Sequence, residues 1–592
     1  MNYCPERPAK VKLSTFKVTI TPHFTAKHEA SHLSIHLSLQ SPNCTTHHPL
    51  FLFETYYGNV PANPFTEGDI TASDAAGPLP LYFTNSTENP EGPDQEWRVN
   101  RDTIGDIQLK FSVSPRHVDI KTPIGPRVDL RRDQGGLIGN GRYFLPRPAQ
   151  KDQMYHYIVT WDIARAPAGT RAVWSFGEGT AGSVTKIGDA MVIANSVFMV
   201  GPIHSYPNGS TQSIASATMN DDDMGCIALA RNSVSVAGNQ KIIAAPSTTQ
   251  VFWFGTLPDN LWRLNQYNIQ LFPRLAAFFR SDENTSYRIF IRRVVRGFGG
   301  HSCLDSYVLE YDQDSWKEAD EELVALFSHE MIHSFVMMGP EPDGYDNGWF
   351  TEGLAQFYSA FLPYRFGLRG EDYLRNRLNA SLSAYGTSPR IGMDILDSQK
   401  EFYNDWYAEL IPYMRGCAYL LQIDSRLRKR TGSFSSHQNS PMDEIVIDMA
   451  KRWRNGVQLQ ARDWLSYLYP YLGEHMAQEL QDMLRGKVLD MRETIIIHKN
   501  WTLSPTEQEI LEFGFALSSI NKRIICGLIP GSRAAYAGLE DGLPLLSISR
   551  AGRCSGSLSE NMDLIIRKKG GAKVHISYWP RSFDKARVWQ LL

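Results

Sequence analysis

Apolar and polar residues alternate over much of the first two hundred positions. FKVTITPHF (16–24) and HLSIHLSLQ (32–40) place apolar side chains at every second position, and IQLKFSVSP (107–115) repeats the pattern. A period of two is that of a strand with one buried face. Turn-rich pieces such as YYGNVPANPFTEGD and FTNSTENPEGPDQ lie between these runs, and few long helical periods occur before residue 260. The pattern predicts an N-terminal β-sandwich or saddle-like sheet domain over residues 1–210.

Beyond residue 260 the period changes. LWRLNQYNIQLFPRLAAFFRS reads as a helix and YRIFIRRVV as a strand, followed by a glycine turn at Gly297, Phe298, Gly299 and Gly300. SYVLEYD (306–312) reads as another strand and EADEELVALFSHEMIHSFVMM as one long helix, with acidic residues at the end where the helix dipole favours them. GWFTEGLAQFYSAFL predicts a second helix, and helices then follow one another, as in CAYLLQIDSRLRKRTG and PMDEIVIDMAKRWRNG. Short strands broken by Gly and Pro return in the tail. The expected units are 211–395 (mixed), 396–495 (helical) and 500–592 (small β-domain), so the fold class is multidomain α+β.

Composition narrows the function classes. A chain of 592 residues is too long for a single core. Its 42% hydrophobic and 21% charged residues are those of an ordinary globular protein. A net charge of −3 gives no footprint for nucleic acid or an anionic membrane. MNYCPERPAKVKLSTF lacks the apolar segment of a signal peptide, and no run reaches the length of a membrane span. The cysteines, Cys4, Cys44, Cys226, Cys303, Cys417, Cys526 and Cys554, are odd in number and form no CxxC, which suits free thiols in a reducing compartment. Sequons at Asn85 and Asn208 matter only in a secreted protein. A cytoplasmic location is expected.

Chemistry concentrates in ALFSHEMIHSFVMMGPEPDGYDNGWFTEGLAQFYSAF (325–361). Residues four apart share a helix face, so His329 and His333 can point at one ion. Glu330 lies one step around, where a carboxylate can take the proton of an attacking water. Glu352 follows His333 after eighteen intervening residues, and Pro340, Pro342, Gly344 and Gly348 let the chain reverse between them. Two imidazoles and one carboxylate suit Zn²⁺ with an open fourth position. The bland alternative is two packed helices with satisfied polar residues.

This HExxH motif, with Glu352 inside WFTEG, resembles the gluzincin metallopeptidases, and the whole-chain plan resembles their glycyl aminopeptidase family. The resemblance implies a thermolysin-like catalytic domain over 211–395, a helical subdomain over 396–495 that completes the active site, and a C-terminal PDZ domain. It implies Zn²⁺ as cofactor and peptides as substrates. PYMRGCAYLLQID (412–424) resembles the family's Tyr-x-Lys-Gly element, in which the tyrosine hydroxyl bonds the oxyanion, a role that falls to Tyr413. Arg415 stands in the lysine position and is taken, with Gly299 and Gly300, as substrate-binding.

The family carries a glutamate for the substrate's α-ammonium in a Gly-Gly-x-Glu loop. Here Ser302 occupies that place and Cys303 the neighbouring one, with Asp305 or Glu310 as substitutes. SYVLEY is expected to offer an open strand edge to the peptide. In the tail, Gly531, Ser532, Ala534, Ala537, Gly538 and Leu539 carry the PDZ resemblance, and FGFAL (513–517) is the expected loop and strand for a peptide terminus. The leading reading is a zinc aminopeptidase with Glu330 as base. The alternatives are an endopeptidase of the same fold, an inactive protease-like PDZ scaffold, and an epoxide or other non-peptide hydrolase. Neither a nucleic-acid partner nor a membrane enters any of them.

Overall fold

The computed structural model describes residues 13–207 and 249–592, apart from short stretches at 59, 64, 87–93, 121, 123–124, 151–152, 282–285, 296, 314, 343–345, 403, 434–438, 495–500 and 550. Cys4, Cys226 and the Asn208 sequon lie outside the described residues.

The alternating segments form strands as expected. Ser14–Phe24 pairs antiparallel with Ala30–Leu39, which pairs with Ile107–Val113, at the centre of a seven-stranded sheet. Phe16, Val18 and Ile20 point inward with Leu33, Ile35, Leu37 and Leu39, while the residues between them face outward. Five- and four-stranded sheets close over the same core.

A second five-stranded sheet begins at Ile203–Tyr206 and continues through Thr249–Phe254, Tyr287–Arg293, Ser306–Tyr311 and Gly299–Cys303, in that spatial order. Its first strand precedes the boundary expected at 210. Two readings of this region need correction. Gly299 and Gly300 belong to a strand, not a turn. Ser306–Tyr311 is an inner strand, parallel to Tyr287–Arg293 on one side and antiparallel to Gly299–Cys303 on the other. The edge on this side of the sheet, among the described residues, is therefore Gly299–Cys303.

Helix Asp259–Phe278 and helix Asp320–Ile332 pack with this sheet, and Gly348–Arg365 and Ile411–Thr431 follow. The first catalytic-looking helix is shorter than expected. After Ile332 the Ser334 and Phe335 amides bond the Met331 and Ile332 carbonyls, three residues back. This tighter winding releases the chain, so Phe335, Val336 and Met338 enter the core from a loop. One core runs from Val251 to Met491 and takes in Leu591 of the last strand, so the helices beyond residue 396 are continuous with the sheet and helices before them.

The close contact that matters most joins the Glu352 helix to the Tyr413 helix. A Cβ on Gly416 would lie 2.0 Å from the Trp349 carbonyl oxygen, and one on Gly353 would lie 2.6 Å from Gly416 backbone atoms. Backbones can approach this far only without side chains.

Residues from Leu511 to Tyr578 form a small core of their own, while Leu503, Trp589 and Leu591 join the large one. The ribbon Leu503–Leu511 with Arg581–Leu591 packs beside a three-stranded sheet of Leu545–Ser549, Met562–Arg567 and Lys573–Tyr578. Residues 513–517 form no strand and lead into helix Ser518–Lys522. Their backbone is already engaged: Ala516 donates to Cys526, Gly514 accepts from Ile529, and Phe513 bonds Tyr407 and Tyr578. The edge expected there for a peptide is absent.

Alanine at a helical glycine ordinarily gains about 1 kcal/mol of helix propensity, but a backbone clash at 2.0 Å outweighs that. Gly416→Ala should lower stability by about 1–3 kcal/mol, the usual cost of overpacking. Urea denaturation checks it; a variant as stable as the parent would show that the two helices can separate freely.

Candidate metal centre

Three side chains converge where the two helices meet. His329 and His333, one turn apart, bring their Nε2 atoms to 3.1 Å. Glu352 Oε2 lies 3.0 Å from His329 Nε2 and 3.3 Å from His333 Nε2. Both histidines are buried and Glu352 is half-buried. Glu352 holds its carboxyl well below the usual range: burial opposes this, and the two facing imidazoles overcome it. Burial opposes protonation of His333 as well, but Glu352 raises its pKa on balance.

The loop that reverses the chain is fastened by Asn347. Its amide donates to the Gly339 carbonyl at 2.7 Å and to Glu341 at 2.8 Å, and it accepts from Trp349 Nε1 at 3.0 Å. Met338 N donates to Thr351 Oγ1 at 3.3 Å. These bonds set the start of the second helix, and with it Glu352.

A tetrahedral site with metal–ligand bonds of about 2.0–2.1 Å has ligand atoms about 3.3 Å apart. The observed separations of 3.0–3.3 Å match this spacing, and two imidazole nitrogens with one carboxylate oxygen are a zinc-type donor set. The residues present therefore fit a divalent cation.

Glu330 is buried against the edge strand; a Cβ on Gly300 would fall 2.5 Å from its carboxylate oxygen. Burial raises the Glu330 pKa, His329 and His333 lower it, and Glu352 raises it again. Gly299 is equally close-packed, against the Arg127 guanidinium. Tyr413 lays its ring over His329 at 5.6 Å between centroids, tilted by 18°. Tyr413 thus lies against one of the three donors, and Glu330, next to His329 in the chain, lies between them and Gly300.

Arg415 does not. Two residues past Tyr413, it projects to another side of the helix, is fully buried, and donates to the carbonyls of Ile391, Met393 and Met483. Its charge ties helices together, and the expectation of substrate contact is corrected. The substitutes for the missing glutamate are also committed. Glu310 is buried on Arg292, at 2.5 Å, with Arg127 at 3.4 Å, and Asp305 pairs with Lys186 at 2.7 Å. Ser302 lies two residues from Gly300, on the same strand face. Cys303 is buried, and Asn140 donates to its sulfur. Burial, then Arg127 and Arg142, push His301 down to about 3, so it is neutral.

The fold has a solved counterpart. An aminopeptidase N family protein from Idiomarina loihiensis superposes on 98% of this chain and 98% of its own, with a TM-score of 0.60 and 14% identity. The chain shares that fold. An M1 zinc metallopeptidase from Deinococcus radiodurans matches 81% of this chain and 95% of its own at 15% identity and a TM-score of 0.44. Leukotriene A4 hydrolase from Saccharomyces cerevisiae matches 81% of this chain and 69% of its own at 12% identity and a TM-score of 0.45. No protein-family model and no curated protein matches the chain. The shared architecture includes the C-terminal residues, since the first of these likenesses spans almost the whole chain.

One charged group near the donors was not picked out from the sequence. Glu409 ends the short helix Trp406–Glu409, half-buried, with Arg127 and Glu352 acting on its carboxyl. Burial raises it to about 7, Arg127 lowers it and Glu352 raises it. Its spacing of four from Tyr413 was the available signal.

Zinc added to chelator-treated protein should bind at one ion per chain and raise the melting temperature, because a ligand held by the folded state alone stabilises it. His333→Ala and Glu352→Ala should abolish both effects, as read by metal analysis and thermal melts.

Proposed function

We propose that the chain is a zinc-dependent metallopeptidase that hydrolyses peptide bonds, acting as an aminopeptidase. The observation that supports this reading is the meeting of His329, His333 and Glu352 at zinc-like spacing, with Glu330 buried against the edge strand and the Tyr413 ring over His329. A bound zinc ion would supply Lewis acidity, easing the ionisation of a water and polarising the scissile carbonyl.

The remaining roles belong to the chain. Glu330 takes the proton of the attacking water and passes it to the leaving amine, which its burial and raised pKa favour. Tyr413 donates its hydroxyl hydrogen to the oxyanion as charge develops. His329, His333 and Glu352 are the three donors that would hold the cation. Gly299 and Gly300 on the open edge let an extended peptide lie along Gly299–Cys303 by strand addition. Arg415 serves packing alone.

A second reading, an endopeptidase of the same fold, is favoured by one observation. Ser302 replaces an acidic anchor, and Glu310 and Asp305 are already paired. A PDZ-like domain remains part of the proposal as a packing unit. A cytoplasmic setting fits the absence of any disulfide among the described residues, where Cys44, Cys303, Cys417, Cys526 and Cys554 keep their thiols. No described helix is long and apolar enough to cross a membrane.

Glu330→Gln should retain zinc and lose about 10²–10⁴ in kcat, the range of general acid–base catalysis. Tyr413→Phe should lose about 10²–10³ with little change in KM. Both are read in a peptide-hydrolysis assay with metal content measured in parallel, and full activity in Glu330→Gln removes the proposed base. Comparing free with N-acetylated peptides separates the two readings: turnover of free-ended peptides alone supports the aminopeptidase.

A further inference from the structure

Glu409 has a geometry that the proposed chemistry leaves unused. Leu410 has helical backbone angles and links helix Trp406–Glu409 to helix Ile411–Thr431, so the winding continues through the junction. Met414 N bonds the Leu410 carbonyl and Leu410 N bonds that of Trp406, as in one helix. Glu409 and Tyr413 are therefore four apart on one face, offset by about 6 Å along the axis. Tyr413 lies over His329, so this face looks onto the three donors.

The rest of the short helix is anchored elsewhere. Trp406 stacks on Phe513 at 5.4 Å and Tyr407 packs against it at 5.2 Å, Ala408 is fully buried, and Asp405 caps the helix and pairs with Arg390. The Glu409 carboxylate alone has no hydrogen bond or ion pair among the described residues. The cation acting on it, Arg127, is drawn to Glu310 at 3.4 Å and lies against Gly299. A half-buried carboxylate without a partner is costly unless a ligand completes it.

We propose that Glu409 binds a positively charged nitrogen of the substrate, acting as the specificity-determining anchor of the cleft. Building on the peptidase reading, this names the substrate class as peptides carrying an ammonium group beside the cleaved bond. Two sources share that chemistry. The α-ammonium of a peptide's first residue lies two bonds from the scissile carbonyl carbon, and a lysine side-chain ammonium at the same residue lies six. Glu409, one turn from the oxyanion donor, is within range of either. The position also accounts for the missing glutamate at Ser302: the negative charge has moved from the edge strand to the facing helix.

Calorimetry on the full zinc-loaded chain tests this with three probes: L-tyrosinamide, N-acetyl-L-tyrosinamide and N-acetyl-L-lysinamide. The wild type should bind a cationic probe at least tenfold more tightly than the neutral one. Preference for tyrosinamide assigns the α-ammonium, and preference for the lysine derivative assigns the side chain. Glu409→Gln should bring all three within about twofold, with zinc content and melting temperature unchanged, and Glu409→Asp should restore part of the preference. A wild type without preference, or a Glu409→Gln variant that keeps it, overturns the proposal. Peptide turnover is scored separately. An active wild type whose preference is independent of Glu409 sinks the anchor and spares the peptidase reading. An inactive one with a Glu409-dependent preference does the reverse.

Discussion

At Gly353 and Gly416 two helices touch backbone to backbone, and the geometry of the site follows from that contact. Glu352 immediately precedes one glycine, and Tyr413 comes one turn before the other. With side chains at these points the helices would stand several ångströms further apart, and the carboxylate and the phenol could not both face His329. The close approach costs helix propensity twice over. It is tolerated because the surrounding core of Trp349, Phe350, Leu420 and Leu421 is deeply buried.

A second constraint fixes the sheet beneath. Arg292, fully buried, donates to Glu310 on the neighbouring strand and to both the carboxylate and the carbonyl of Asp129. Asp129 also receives Arg116 and Arg131. Buried charges survive only in such company. The network binds the N-terminal sandwich to the strand next to the open edge. The same network removes Glu310 from contention as a substrate group, because its charge is already neutralised.

Much of this was legible in the chain. Period-two segments gave strands with the expected inward faces, and the spacing of His329, His333 and Glu352 placed three donors on facing helices. What escaped the sequence depended on partners distant in the chain. Strand order cannot be read from SYVLEY itself, so the open edge was assigned one strand too far in. Arg415 carries a charge in a motif-like position, yet its two-residue offset from Tyr413 sends it to the wrong side. FGFAL has the composition of a strand, but its amides and carbonyls are satisfied locally by Cys526, Ile529 and Tyr407. Glu409 drew no notice because its spacing of four from Tyr413 is a weak mark by itself, and its lack of a partner is a property of the fold.

The C-terminal unit is in firm contact with the large core. Arg581 bonds Thr387 at the end of one core helix, and Val588 fills the space over Gly386. Phe513 holds Trp406 and Tyr407, which lie on the same short helix as Glu409. The tail is therefore a buttress behind the short helix that carries Glu409. Any shift in its packing would be transmitted as a displacement of that helix while the three donors stay where they are.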